Sequence, residues 1–385
     1  VDRATETAAT LMQAFVRRTG LYPVSAQPTR YLWTDAFALC NLLELHARTG
    51  DDNYSHLAKA LIDQVHAALG RFRADDARKG WLSGLGEQEG AIHPTAAGLR
   101  IGKTLPERGR EEPFNERLEW DRDGQYFHYL TKWMHALSRA ACVNGEAALA
   151  VQARELARAA VNGFARRDRA GRITGIYWKM SSDLSWPLVA ETGAHDALDG
   201  HITCRAVDRA CAACGEAAGL GKEIAALAPL CHGKYWATSD PLGLGGLLFD
   251  VSRLTRLMQH SAIPGDAALL GDLLEGCATG LSAFAASRTL DLPPDHRLAF
   301  RELGLAIGLA ALPIMEKTPA AAPATLERHA PLGGRIVETW LSERSQSQET
   351  WRAHEDINAV MLATALIPEG FLRLKAADDT AQETS

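Results

Sequence analysis

Leu303-Gly-Leu-Ala-Ile-Gly-Leu-Ala-Ala-Leu312 is a run with no polar side chain, and how it is read decides the fold. It is far shorter than the roughly 20 residues a membrane-spanning helix needs, and it lacks the period-two alternation of a half-exposed strand. Read as a helix, it is apolar on every side and must be enclosed by other elements. Its glycines and alanines let neighbouring helices approach closely.

Two further stretches have the same character, Leu242-Gly-Leu-Gly-Gly-Leu-Leu-Phe249 and Asn358-Ala-Val-Met-Leu-Ala-Thr-Ala-Leu-Ile367. Other stretches of the chain are amphipathic. Leu57, Leu61, Val65 and Leu69 form a stripe opposite Lys59, Asp63 and Gln64, and Leu270, Leu274, Cys277, Leu281 and Phe284 form another; such helices can face water. Reading from one Gly, Pro or Asp break to the next gives about twelve helices. They fall near 5–19, 33–48, 53–72, 124–143, 146–166, 194–214, 219–231, 241–262, 266–288, 296–316, 323–344 and 353–367. Enclosed and half-exposed helices alternating along a chain are what two concentric rings of hairpins require. The expected fold is therefore all-α, an (α/α)6 toroid over residues 1–374, closed by pairing the first helix with the twelfth. No repeat of about 34 or 40 residues marks an α-solenoid instead.

Two segments interrupt the pattern. The connection 74–123 is too long for a plain loop in a compact domain, and its mixture of aromatic and charged residues argues for a functional insertion. Around Arg172-Ile-Thr-Gly-Ile-Tyr-Trp178, β-branched and aromatic residues beside glycines predict a small β-hairpin. The tail 375–385 reads as disordered.

Bulk composition narrows the function. Hydrophobic residues make up 46% and charged residues 23%, with a net charge of −6 and no long Lys/Arg run. Neither a phosphate backbone nor an anionic membrane surface has an electrostatic footprint to meet. Val1 to Thr10 is polar and Ala-rich, unlike a secretory leader, and a cytoplasmic location is expected. The seven cysteines are an odd set, several of them inside apolar helical patterns, so a disulfide framework is not expected.

In a ring of hairpins the turns leading into the enclosed helices line one mouth, where the helix dipoles converge. The six lead-ins are 29–35, 116–128, 191–196, 235–240, 295–302 and 351–356, and every one carries a carboxylate. Capping or a salt bridge accounts for any one such acid. Their joint occurrence with Trp33, Trp120, Tyr126, Trp236 and Trp351 suits a cleft that stacks sugar rings, although packing explains a single Trp equally well. The densest lead-in is Glu119-Trp-Asp-Arg-Asp123, followed by Gln125, Tyr126 and His128. With helix beginning at Gly124, Tyr126 and His128 point apart, and Tyr126 is assigned to the mouth. Arg301-Glu302 enters an almost wholly apolar helix, so its charges are either paired internally or kept for chemistry. The same holds for Asp35.

Three motifs carry less than their appearance. Cys204, Cys211, Cys214 and the step Cys231-His232-Gly233 offer soft ligands, yet read better as core than as a zinc site. Gly243, Gly245 and Gly246 follow no strand and precede no Lys-Ser/Thr, so they read as helix packing. There is no Gly-x-Ser-x-Gly nucleophile elbow. Neither a metal nor a cofactor is expected.

Together these features resemble the six-hairpin carbohydrate enzymes, a group that includes inverting glycosidases, unsaturated glucuronyl hydrolases and N-acylglucosamine 2-epimerase-like sugar isomerases. The resemblance spans residues 5–370. Arg30-Tyr-Leu-Trp-Thr-Asp-Ala-Phe-Ala38 is similar to the entry of the epimerase group's first inner helix, His354 matches one of its catalytic histidines, and Glu302 stands where a Glu often lies. The chain departs at Asp240-Pro-Leu-Gly243, where a second His is expected. The resemblance implies a small-molecule or oligosaccharide substrate. Hydrolysis needs one protonated and one ionised carboxyl group, to be drawn from Asp35, Asp121, Asp123, Glu302 and Glu355. Sugar binding is expected from Arg30, Trp33, Glu119, Tyr126, Trp186, His195, Trp236, Arg301 and His354. Proton exchange at carbon through His354, with His296 or His195, is the alternative chemistry. A non-catalytic toroid binding a glycan or protein is the alternative class.

Overall fold

The computed structural model describes residues 2–315 and 324–373; the expected tail falls outside them. The long helices lie close to expectation: Arg3–Arg18, Leu32–Thr49, Asp52–Leu69, Phe127–Asn144, Ala147–Phe164, Asp196–Ala213, Pro241–Ser261, Asp266–Ser287 and Glu355–Leu366. Their ends have local causes. Asp51 and Asp240 cap helix starts, accepting from the backbone N–H groups of Asn53 at 3.0 Å and Gly243 at 2.8 Å. Gly145, at φ 69°, closes Phe127–Asn144 in the left-handed region.

Three expected helices are broken, each beside a proline. The span 219–231 becomes Gly221–Leu227 followed by a 3-10 turn Ala228–Cys231, because Pro229 has no N–H to continue the α ladder. The span 296–316 becomes a 3-10 turn Pro294–His296, then Ala299–Leu309 and Leu312–Met315, with Pro313 just past the break. The span 323–344 divides into Ala324–Glu327, Pro331–Leu341 and Glu343–Gln346. Pro331 sits in the first turn of its helix, where a missing N–H is tolerated.

Packing divides the described residues into two compact units. The first comprises Val1–Arg18, Ala47–Gly50 and His232–Arg373. In it Pro241–Ser261 crosses Ala299–Leu309 at glycines: a Cβ on Gly245 would lie 2.1 Å from the Gly304 carbonyl oxygen, and one on Gly308 would lie 2.5 Å from that of Gly245. The small residues of the two apolar runs are thus required by backbone contact. Arg3–Arg18 packs along Glu355–Leu366, the expected first-to-last pairing. Asp266–Asp291 is long and apolar enough to cross a membrane by composition alone. Its helix buries Leu270, Leu273, Cys277, Leu281 and Phe284 while Asp272 and Glu275 stay exposed, the pattern of a core-facing helix.

The second unit comprises Thr19–His46 and Asp51–Cys231. Phe127–Asn144 packs against both Ala147–Phe164 and Asp196–Ala213. The expected hairpin is part of a larger sheet: Ile173–Met180 pairs antiparallel with Gln125–Tyr126, Ala165–Arg167 and Pro187–Thr192. The insertion 74–123 contains two short helices, Glu87–Ile92 and Glu116–Glu119. Gln125 ties it to the sheet, accepting from the Leu99 N–H at 2.9 Å and donating to the carbonyls of Ala97 at 3.0 Å and Ser182 at 2.7 Å. Gly98 makes room for that side chain, since a Cβ there would lie 1.9 Å from Gln125 Oε1.

Candidate active site

Tyr126 is the last residue of a two-residue strand, with extended backbone (φ −103°, ψ 131°), and the helix begins only at Phe127. The expectation that Tyr126 and His128 share a helix and point apart is therefore corrected. An extended residue followed by the first helical turn brings both rings to one side, where they stack with centroids 5.4 Å apart. Trp178, from the central strand, packs on Tyr126 at 5.0 Å and lies parallel to His128 at 6.3 Å. Trp33, from the first turn of Leu32–Thr49, and Tyr129 complete the wall at 6.0 and 4.9 Å from His128. The Tyr31 and Tyr129 hydroxyls hydrogen-bond to each other at 2.6 Å.

Beside this wall the helix Asp196–Ala213 begins with two acids in its first turn. Asp199 is satisfied: Thr131 Oγ1 and Lys132 Nζ donate to its Oδ2 at 2.5 and 2.7 Å. Asp196, 7% exposed, is not. Its Oδ2 has no hydrogen-bond partner among the described residues, and neither do His128 Nδ1 and Trp33 Nε1. Buried polar atoms are normally paired, so three such atoms around one aromatic wall single it out as the candidate site. A helix N-terminus favours a carboxylate, but here burial dominates, and with the charge of Asp199 it pushes the Asp196 carboxyl up to about 8. Burial and the Lys132 ammonium push His128 down to about 3. At neutral pH the site thus presents a carboxylic acid and an uncharged imidazole. Gly193 leaves space for the acid, since a Cβ there would lie 2.0 Å from Asp196 Oδ2.

The other acids of this unit differ in circumstance. Asp35 is buried, 3.2 Å from Arg30 Nη1, and accepts from the Tyr31 N–H at 2.9 Å. Asp123 is buried against Arg100 and accepts from the Gly102 N–H at 3.0 Å. Glu119 is held by Lys179 at 2.9 Å and Arg108 at 3.1 Å, and the Arg108 guanidinium lies over the Trp186 ring at 4.9 Å. His195 is half-buried at the N-cap of Asp196–Ala213 and makes no side-chain cap bond. Asp121 alone of the expected acids here is exposed and makes no ion pair among the described residues. Its charge acts on Tyr126, whose hydroxyl is raised chiefly by burial, and on Lys103, which burial lowers and which lies over the Tyr31 ring at 5.4 Å.

In the first unit Glu302 is buried and bound by Arg297 at 2.8 and 2.6 Å, and Trp340 Nε1 donates to it at 2.9 Å. Of the two readings of this enclosed charge, internal pairing is the observed one. Arg301 pairs with Asp240 at 2.9 Å, exposed Glu355 pairs with Arg18 at 3.0 Å, Trp236 is buried, and exposed His354 lies edge-on to Phe300 at 5.6 Å.

Trp33 and Tyr126, among the expected residues, thus meet at one wall. His128, Trp178 and Asp196 are not among the expected site residues. The first is excluded only by a helix start at Gly124, three residues before the observed one. The last looks like its neighbour Asp199 in sequence; only burial without a partner separates the two. None of the seven cysteines forms a disulfide, and Cys204, Cys211 and Cys231 are buried.

No protein-family model matches the chain, and no curated protein sequence does. Solved structures do. An α-1,6-mannanase from Salegentibacter sp. aligns over 95% of this chain and 99% of its own at 12% identity and a TM-score of 0.56. An inactive variant of that enzyme with two Asp-to-Asn changes, in complex with α-1,6-mannotriose, aligns over 96% and 100% at 12% identity and 0.55. A D-mannose isomerase aligns over 94% and 97% at 12% identity and 0.52. These likenesses show the fold: the chain has the all-α architecture of (α/α)6 toroid proteins, with a small sheet added.

Proposed function

We propose that this protein is a carbohydrate-active enzyme and that it hydrolyses glycosidic bonds, with Asp196 as the proton donor. The observation that carries the reading is the buried carboxyl of Asp196, its Oδ2 unpartnered, beside the equally unpartnered His128 Nδ1 and Trp33 Nε1; burial pushes that carboxyl up to about 8. Aromatic faces and unpaired donors and acceptors suit a sugar ring, which is apolar on its faces and ringed by hydroxyls. Sugar chemistry in both structural relatives, a mannanase and a mannose isomerase, supports it.

In the reaction Asp196 gives its proton to the glycosidic oxygen as the bond to the anomeric carbon breaks. The Asp121 carboxylate takes a proton from the attacking water. Asp35, Asp123 and Glu302 have no part in this reading, because an acid buried against an arginine holds that arginine's charge. Isomerisation is the second reading, favoured by the uncharged His128 at the site; a base pushed down to about 3, however, is a weak acceptor for a proton from carbon.

The test is hydrolysis of aryl glycosides and oligosaccharides by the wild-type protein and by Asp196→Asn and Asp121→Asn. Loss of roughly 10²–10⁴-fold in kcat in each variant is expected. Full activity in either removes that residue's role, and solvent deuterium appearing at carbon in a sugar product transfers the case to isomerisation.

A further inference from the structure

Adjoining the aromatic wall is a hollow of about 410 Å3, whose lining includes Phe114, Glu116, Trp120, Tyr126, Trp178 and Glu191. Tyr126 and Trp178 belong both to this lining and to the aromatic wall that carries His128. Its outer wall is unusual. Trp120 is 52% and Phe114 55% exposed, and Trp120 stands edge-on to Trp178 with centroids 5.2 Å apart. Large aromatic rings gathered at a concave, water-exposed surface indicate a binding face.

We infer that this hollow holds a second sugar residue of the substrate, uncharged or ammonium-bearing, so that the enzyme acts on oligosaccharide or polysaccharide chains. The inference rests on the proposed saccharide chemistry. Size supports it, since the volume exceeds what a few waters fill and lies in the range of small-molecule sites. Charge supports the class: Glu119 is neutralised by Lys179 and Arg108, whereas Glu116 and Glu191 are exposed and make no ion pair among the described residues. Two unpaired carboxylates at the rim repel a uronate and tolerate a hydroxyl or an ammonium group.

The test is calorimetric binding to the Asp121→Asn protein of mono- and trisaccharides of mannose, glucose, galactose and N-acetylglucosamine, with trigalacturonate as the anionic probe. At least one neutral trisaccharide binds tenfold or more tightly than its monosaccharide. Adding Trp120→Ala removes that gain without altering monosaccharide affinity, and Phe114→Ala reduces it. Equal affinity for mono- and trisaccharide, a gain that survives Trp120→Ala, or preferential binding of trigalacturonate overturns the inference while leaving the saccharide reading intact. Absence of binding by every saccharide overturns both.

Discussion

The Nδ1 atom of His128 lies 3.9 Å from Oδ1 of Asp196, too far for a hydrogen bond, and burial disfavours the charged form of both groups. Magnitudes explain why they do not form an ion pair. Their displacements, to about 3 and about 8, add roughly 5 and 6 kcal/mol to what charging each group costs in water, at about 1.36 kcal/mol per pH unit. Two unit charges at that separation recover roughly 4 kcal/mol with an effective dielectric of about 20. Burial outweighs both that attraction and the roughly 4 kcal/mol by which histidine is the stronger base in water, and so favours the proton on the carboxyl group.

The first prediction concerns pH. Asp196 is raised from its ordinary value to about 8, so activity falls as pH rises through about 8 and the acid loses its proton. Stability changes with the same sign: between the unfolded and folded values the native state holds the extra proton, so this group lowers stability as pH climbs toward 8. Asp196→Asn loses roughly 10²–10⁴-fold in kcat and gains in Tm over wild type between pH 5 and pH 9. Thermal melts at the two pH values check this; a difference that shrinks with pH contradicts it.

Asp121 and Asp123 are expected to separate function from stability. Asp121→Asn, at an exposed position, changes stability by no more than about 0.5 kcal/mol and cuts kcat on the order of 100-fold. Asp123→Asn leaves Arg100 uncompensated in the interior and costs roughly 3–5 kcal/mol. Urea denaturation with parallel kinetics distinguishes the two.

Gly193→Ala should act through Asp196. The added Cβ falls 2.0 Å from Oδ2, so the carboxyl must turn away. A loss of about tenfold or more in kcat with little change in KM is expected, because a small misplacement of a proton donor is felt in the transition state. An unchanged pH profile and rate would show that the acid acts elsewhere.

Glu302→Gln tests the acid most prominent in the sequence. With Arg297 left buried and unpaired, unfolding free energy drops by roughly 3–5 kcal/mol, while kcat per folded molecule is unchanged. Active-site titration alongside circular dichroism measures both, and a kcat loss without destabilisation would restore Glu302 to the chemistry.

Much of the architecture was legible because helical periodicity is a local property. Leu57 to Leu69 and Leu303 to Leu312 declare, by spacing alone, one helix that can face water and one that must be enclosed. The breaks at Pro229, Pro313 and Pro331 were equally present in the sequence and were smoothed over by the apolar pattern on either side. The site was legible in part. Trp33 and Tyr126 stand out in the sequence as aromatics at helix entries, but the place of His128 does not, because the strand pairing of Tyr126 with Lys179 shifts the helix start.

What the residue order determined by itself is the set of helices, which of them had to lie inside, and the aromatic, acid-rich character of the turns before them. What only the tertiary structure decided is the state of each acid. Asp35, Asp121, Asp123, Asp196 and Glu302 are alike as letters, and their differences arise from distance to an arginine and from loss of water. Both depend on what packing brings near, and neither is carried by spacing along the chain.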